Sequence, residues 1–170
     1  TGAHLNDMTL LSPIFYQGRL CGFTANRAHW LDIGSKDPGY PLDSTDIFQE
    51  GIRIPPMKIM DRGVLNESLA DMICRNTRFY RSARGDLNAQ IAACKTGEKR
   101  FAEIIERFGY DTVRDSVHDI FLQSEIMEKE VVSKFADGVY HASGYLDNDG
   151  TVMEPILVNL TVTIKDGDMT

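Results

Sequence analysis

Two stretches near the start of the chain combine imidazole and carboxylate side chains at the same spacing. His4 and Asp7 stand three residues apart in HLNDMTLL, and His29 and Asp32 stand three residues apart in RAHWLDIG. Two imidazoles with one or two carboxylates suit a catalytic divalent ion such as zinc, manganese or iron. Such an ion can polarise a carbonyl group or activate water. Taken singly, each residue also has a structural explanation, as a hydrogen-bonded histidine or a turn aspartate.

The residues between these pairs predict a β-hairpin that brings them together. Residues 8–15 and 20–25 are apolar and β-prone, and Tyr16-Gln17-Gly18-Arg19 between them has the composition of a tight turn. If the hairpin closes at Gln17-Gly18, the start of its first strand lies beside the end of its second. The sequence therefore predicts one ion site at the open end of the hairpin.

A long irregular segment, residues 34–56, follows the hairpin and is rich in Gly, Pro, Asp and Ser. Loops of this length in compact domains are usually functional or disordered. Its apolar residues favour an ordered, packed loop: Tyr40, Ile47, Phe48 and Ile52. Glu50 is a candidate functional group here, because irregular segments held by a scaffold often bind ligands. An ordinary salt-bridged loop is the alternative.

Helical periodicity dominates the middle of the chain. Apolar spacing predicts a first helix capped by Asn66, a second over about 86–108 and a third from about 111 to 135. Asp86 would then lie at a helix start, where an N-cap role is sufficient explanation for a carboxylate. Asn88 and Gln90 lie in a helix otherwise directed to the core, and buried amides require partners.

Strand patterns take over at the end of the chain. Residues 138–146 and 156–164 alternate, and residues 147–150 form a turn between them, which predicts antiparallel strands. The order of hairpin, ordered loop, three helices and strands is typical of an α+β fold. We expect one domain or segment, 1–170, in which 1–60 form the hairpin and loop, 65–135 the helices and 137–166 the strands.

Composition excludes several functional classes. The formal net charge is −7 and the pI is about 5.0, which argues against binding to nucleic acid or to an anionic membrane surface. No apolar stretch is long enough to span a bilayer. The three cysteines are widely spaced in apolar or helical settings, which favours reduced thiols and a cytoplasmic location. Phosphate-binding glycine motifs are absent, so any ATP used would be held by another chain or domain.

Four motifs in order resemble the hydantoinase B/5-oxoprolinase family: AHLNDMTLLSPIF, GFTANRAHWLDIG, DPGYPLDSTDIFQEGIRIPP and GDLNAQIAA. The likeness runs from residue 2 to about 105 and continues more loosely to ILVNLTVTI. Family chains are several times longer, so the resemblance implies that this chain is a segment of a longer catalytic subunit.

The resemblance implies an activity shared with a partner. B-type subunits work in hetero-oligomers with a hydantoinase A-type ATPase, which uses ATP to activate the substrate by phosphorylation. Some members hydrolyse cyclic amides such as hydantoins, 5-oxoproline or lactams, and others carboxylate ketones such as acetone or acetophenone. The residues do not select between these reactions, and family frequency favours cyclic-amide hydrolysis. An assembly module with a structural metal is a further alternative.

The resemblance also implies roles for particular residues. A divalent ion would be bound by His4, Asp7 and His29. Beyond the resemblance, we expect this ion to be Zn, Mn or Fe, Asp32 to orient a ligand imidazole, and Glu50 or Asp86 to serve as general base. Many family sequences have a second histidine where this chain has Trp30. We expect the indole to form an apolar wall beside the site, which would favour an aromatic or ketone substrate.

Overall fold

The α+β class is confirmed in the computed structural model, which describes residues 4–39 and 41–170. Packing divides the chain into two units, Thr1–Glu103 and Ile104–Thr170. The elements, in chain order, are β1 (Asp7–Tyr16), β2 (Arg19–His29), β3 (Met60–Asp61), β4 (Val64–Leu65), α1 (Glu67–Arg75), α2 (Tyr80–Phe108), α3 (Tyr110–Val132), β5 (Gly138–Leu146), β6 (Ile156–Lys165) and β7 (Asp168–Met169).

The predicted hairpin is present, and it is longer at its open end than the apolar pattern indicated. Strands β1 and β2 pair antiparallel, with Asp7 opposite His29 at one end and Tyr16 opposite Arg19 at the other. Gln17 and Gly18 form the turn with φ of 49° and 77°. Two consecutive positive φ values give the turn whose twist matches that of paired strands. The hairpin therefore fixes which residues meet at its open end.

Helix α2 begins at Tyr80, six residues before the predicted start at 86. The prediction was wrong because Asp86 was taken for the helix start, whereas the buried face of the helix already begins before it. That face recurs at helical spacing and consists of Ala83, Leu87, Gln90 and Cys94. Asp86 consequently lies inside the helix and not at its N-terminus.

The core of the first unit joins the end of the hairpin to both of its helices. Its buried members are Trp30, Ile33, Ala70, Ile73, Cys74, Ala83 and Leu87. Helix α1 begins as predicted, because the side chain of Asn66 accepts a hydrogen bond of 3.0 Å from the Leu69 amide. Gly97 lets α2 approach the hairpin, since a Cβ there would lie 2.5 Å from Thr24 Cγ2.

The long loop after β2 is ordered, although not all of its apolar residues are packed. The Lys36 amide donates to Gln49 O over 2.8 Å, and the Ile52 amide donates to Ile33 O over 2.9 Å. Ile52 packs against the core as predicted. Packing of Ile47 and Phe48 was predicted wrongly, because both lie in a short surface 3₁₀ turn. Tyr40 lies outside the described residues.

The second unit contains the end of α2, all of α3 and a three-stranded sheet of order β5-β6-β7. The predicted pairing of β5 with β6 is confirmed, with Gly138 opposite Ile164 and Leu146 opposite Ile156. The short strand β7 was not predicted. Helix α3 ends at Val132, three residues before the predicted end. In the part of the chain that the structure describes, no helix is both long and apolar enough to cross a membrane.

Candidate metal centre

Three of the four residues that the spacing singled out meet at the open end of the hairpin. Asp7 Oδ1 lies 3.7 Å from His4 Nε2 and 3.7 Å from His29 Nδ1. The two imidazole rings contact edge to face, with their centroids 4.7 Å apart. Donor atoms of all three residues lie within 4.8 Å of one another. The structure therefore places His4, Asp7 and His29 in one cluster, as the hairpin predicted.

Strand register and a local turn position the cluster. Asp7 and His29 are directly opposite each other at the first pair of the β1–β2 ladder. His4 precedes β1 in a turn in which the Asp7 amide donates to His4 O over 3.2 Å. The turn brings the imidazole of His4 back toward the carboxylate three residues later. Two residues of the cluster thus come from one strand end and one from its neighbour.

The chemistry of this donor set fits a divalent ion. Distances of 3.7 Å are too long for hydrogen bonds. They agree with two ligands of one ion, which lie about 3 to 4 Å apart when each bond is about 2.1 Å. The side chains of His4, Asp7 and His29 are 17%, 15% and 44% exposed, so the site is reachable from solvent. Three protein donors would leave coordination positions open.

Arg27 contacts the cluster, and Asn6 fixes the backbone next to it. Arg27 Nε lies 3.7 Å from Asp7 Oδ2, the oxygen that does not face the imidazoles. Asn6 is buried, and its side-chain nitrogen donates to Trp30 O over 2.8 Å and to Gly39 O over 3.0 Å. The Trp30 amide donates in return to Asn6 O over 2.9 Å. Sequence reasoning missed Asn6, because an asparagine in a turn does not show what it binds.

Asp32, the fourth residue of the two pairs, has other partners. Its Oδ1 accepts hydrogen bonds from the Gly34 amide over 3.0 Å and from Arg78 Nη1 over 2.8 Å. Its Oδ2 accepts from the Arg78 amide over 2.5 Å. Arg78 Nη2 also donates to Ser35 O over 2.7 Å. The geometry contradicts the expectation that Asp32 orients a ligand imidazole, since its oxygens fasten the start of the long loop to the segment that leads into α2.

The two candidate general bases lie outside the cluster of three. Glu50 ends the 3₁₀ turn Ile47–Glu50 and is half-buried. Asp86 is exposed on α2 and lines a cleft of about 10 Å³ with Trp30, Asp32 and Ser82. That volume is about the space of one water molecule. Their role as general bases stays a prediction.

Trp30 does not form a wall of the site. Its side chain is 1% exposed, and its indole Nε1 donates to Gln90 Oε1 over 2.9 Å. The expectation that the indole forms an apolar wall beside the site was wrong, because its side chain is buried in the core although Trp30 directly follows His29. The expectation for Gln90 is confirmed: it is buried, and both atoms of its amide have partners. Asn88, flagged with it, is exposed.

The three cysteines carry free thiols, as expected from their spacing. Cys74 and Cys94 are buried, and Cys21 is half-buried on β2. Burial raises the pKa of the Cys74 thiol above its ordinary value. None of the three belongs to the cluster at the open end of the hairpin.

The fold and the site together define the class of protein. It is an α+β segment in which a hairpin packs on helices and carries two imidazoles and a carboxylate at its open end. The chain belongs to the hydantoinase B/oxoprolinase family, whose sequence profile matches residues 1–170. The resemblance drawn from the four motifs is thereby confirmed.

Relatives of the chain are parts of larger enzymes. A protein of Pseudomonas sp. (strain NS671), provisionally named as the B-type subunit of a D-/L-hydantoinase, is 37% identical over 174 residues, covering 99% of this chain and 29% of the relative. The acetophenone carboxylase delta subunit of Aromatoleum aromaticum is 28% identical, covering 88% of this chain and 22% of the relative. The chain thus spans less than a third of the length of these curated relatives.

A solved structure has the same fold. The crystal structure of the ATP-dependent caprolactamase from Pseudomonas jessenii matches 99% of this chain and 29% of its own, with a TM-score of 0.87 and 30% identity. The fold of this chain, including the hairpin and the three helices, is therefore that of a segment of the caprolactamase.

Proposed function

We propose that this chain is part of the metal-dependent catalytic subunit of an ATP-dependent cyclic-amide hydrolase. The observation that supports this most is the cluster of His4, Asp7 and His29, whose donor atoms lie within 4.8 Å of one another. Its substrates would be hydantoins, 5-oxoproline or lactams. A hydantoinase A-type ATPase would act as partner and consume the ATP, since no phosphate-binding glycine motif occurs in this chain.

Similarity favours hydrolysis over carboxylation. The relative named as a hydantoinase subunit is 37% identical and the caprolactamase structure is 30% identical to this chain. The acetophenone carboxylase subunit is 28% identical over a smaller share of the chain. Ketone carboxylation is the second candidate, because that carboxylase subunit is also a relative of this chain.

Each of the three residues would supply one ligand to the ion. The imidazoles of His4 and His29 supply neutral donors, and Asp7 Oδ1, equidistant from both, supplies the charge. Arg27 faces Oδ2 and so favours presentation of Oδ1 to the ion. A divalent ion in this set supplies Lewis-acid polarisation of a carbonyl and activation of water. One carboxylate leaves the occupied site with a net charge of about +1, which attracts a phosphorylated substrate.

Substrate would approach the side of the site that is open to solvent. His29 is the most exposed of the three side chains, at 44%, whereas His4 and Asp7 are below 20%. Asn6 and Trp30, which adjoin the ligands in sequence, are buried, each 1% exposed. Glu50 or Asp86 would act as general base from the loop or from α2, each through its carboxylate. Among the described residues the cluster has three protein ligands, fewer than the four of a structural site, which favours a catalytic ion.

A substrate screen tests the proposal. The complete gene product, with whatever sequence lies outside these 170 residues, would be purified with its ATPase partner and supplied with ATP. We expect ATP consumption that depends on a hydantoin, 5-oxoproline or a lactam, and its loss by about 100-fold or more in His29→Ala. His118→Ala, at an exposed position on α3, is the matched control and should retain activity. Turnover only with ketones and bicarbonate would replace hydrolysis by carboxylation.

A further inference from the structure

The amide of Gln90 contacts both strand ends that carry the proposed ion ligands. Gln90 is 5% exposed on the buried face of α2. Its Nε2 donates to Met8 O over 2.8 Å, and Met8 directly follows Asp7. Its Oε1 accepts from the indole of Trp30 over 2.9 Å, and Trp30 directly follows His29. One side chain, 60 and 82 residues away in sequence, thus bridges the neighbours of two ligands.

The chemistry of its partners fixes the orientation of this amide. An indole N–H can only donate, so the Gln90 oxygen must face Trp30. The Gln90 nitrogen then faces two acceptors, Met8 O and Asn26 Oδ1, the latter at 2.9 Å. Oδ1 of Asn26 accepts this hydrogen bond. The side-chain nitrogen of Asn26 donates to the main-chain O of Gln90 over 2.9 Å and to Cys94 Sγ over 3.0 Å. Flipping the side-chain amide of Gln90 or of Asn26 would place N–H donors opposite N–H donors.

Trp30 connects Gln90 to His29. Its amide and carbonyl are held by Asn6, and its ring is held by Gln90. The position of the peptide that follows His29 is therefore set from both sides. Met8 O, on the other strand, is set from α2 by the same Gln90 amide. Both positions adjoin Asp7 and His29, which face each other in the β1–β2 ladder.

We propose that Gln90 is a positioning residue for the ion site, and that it acts through Met8 and Trp30 on Asp7 and His29. This inference rests on the proposed function, because it presumes an ion at the hairpin. Outer contacts of this kind typically change metal affinity by about 10- to 100-fold. A purely structural glutamine would instead change stability without changing the affinity of the folded protein.

The test compares Co²⁺ affinity and the visible Co²⁺ spectrum in the complete gene product and its variants. Gln90→Met keeps the size of the side chain and removes its hydrogen bonds; we expect Co²⁺ binding weaker by about 10-fold or more and a shifted spectrum. Trp30→Phe removes the indole donor and should weaken binding by about 3-fold or more, as one bond of the set. Ile14→Ala, at a buried position on β1 near the turn of the hairpin and outside the core around Trp30, is the control for lost stability and should bind Co²⁺ with unchanged affinity.

Each outcome bears on one claim. Unchanged Co²⁺ affinity and spectrum in Gln90→Met would overturn the positioning role and leave the ion site standing. Equal losses in Gln90→Met and Ile14→Ala would also overturn it, since stability alone would then explain both. If Gln90→Met does not fold, Trp30→Phe decides, and unchanged binding there contradicts the inference. If the unsubstituted protein binds no Co²⁺ at His4, Asp7 and His29, the proposed function fails and the inference fails with it.

Discussion

Asn6 shows how much of the candidate site depends on a single buried side chain. It lies between two of the proposed ligands, His4 and Asp7, and is 1% exposed. Its amide nitrogen satisfies two backbone carbonyls, those of Trp30 and Gly39, which follow the second strand of the hairpin. The bond to Trp30 is buried, so loss of the amide would leave an acceptor there without a partner.

Asn6→Ala should therefore destabilise the protein by about 1 to 3 kcal/mol through these unsatisfied carbonyls. Urea denaturation followed by circular dichroism measures the change. Asn88→Ala is the matched control, because Asn88 is exposed on α2 and its loss should change stability by about 0.5 kcal/mol or less. Equal effects of the two substitutions would show that the hydrogen bonds of Asn6 contribute nothing.

At the scale of residues, the sequence predicted the cluster of proposed ion ligands but not the hydrogen bonds around it. His4, Asp7 and His29 follow from spacing and a two-residue turn, since the register of a hairpin is set locally. Asp32 shares the spacing but binds Arg78, 46 residues away. Partners at that separation depend on how the helical segment packs on the loop, which a local pattern does not contain.

At the scale of elements, α2 holds the hairpin through a face that mixes apolar and polar residues. Ala83, Leu87 and Cys94 pack, whereas Gln90 is hydrogen-bonded. The end of the helix was predicted correctly because Gly109 has φ 85°, a conformation that glycine adopts readily. The start was predicted too late, because Ala83 already packs in the core ahead of Asp86.

Two glycines of α2 give opposite predictions for the same substitution. Gly85→Ala should stabilise the protein by about 0.5 to 1 kcal/mol, because nothing lies within 4 Å of the added Cβ. Gly97→Ala should destabilise it, because the new Cβ would lie 2.5 Å from Thr24 Cγ2 on the hairpin. Thermal or urea unfolding of both variants measures the difference.

A double variant isolates the cause. Thr24→Ser removes the methyl group that the Cβ at position 97 would meet, so adding it to Gly97→Ala should recover most of the lost stability. If Gly97→Ala alone is as stabilising as Gly85→Ala, the close approach of α2 to β2 is wrong.

At the scale of the whole molecule, the two units differ in how well they bury their apolar residues. The first has a continuous core around Trp30. In the second, many apolar residues of α3 and the sheet are exposed, including Phe121 at 70% and Leu160 at 57%. The α+β class was predictable from periodicity, but the division within α2 was not, because no composition change marks residue 104.

Thiol reactivity reports whether the first unit is folded as described. Burial raises the pKa of Cys74 above its ordinary 9.0, so the folded thiol stays protonated where an unfolded one ionises. Its contribution to stability is thus complete below about pH 9 and is lost as the pH rises further. At pH 8, iodoacetamide should modify Cys21 first, and Cys74 and Cys94 only in denaturing urea. Rapid labelling of all three without urea, read by mass spectrometry, would contradict the packing of α1 and α2.

The central claim is that one divalent ion is held by the two ends of the hairpin. A crystal structure of the complete gene product grown with Mn²⁺ or Zn²⁺, with anomalous scattering at the metal edge, tests it most directly. The account predicts one anomalous peak about 2.0 to 2.2 Å from His4 Nε2, Asp7 Oδ1 and His29 Nδ1. An ion bound at other residues, with these three side chains directed apart, would contradict it.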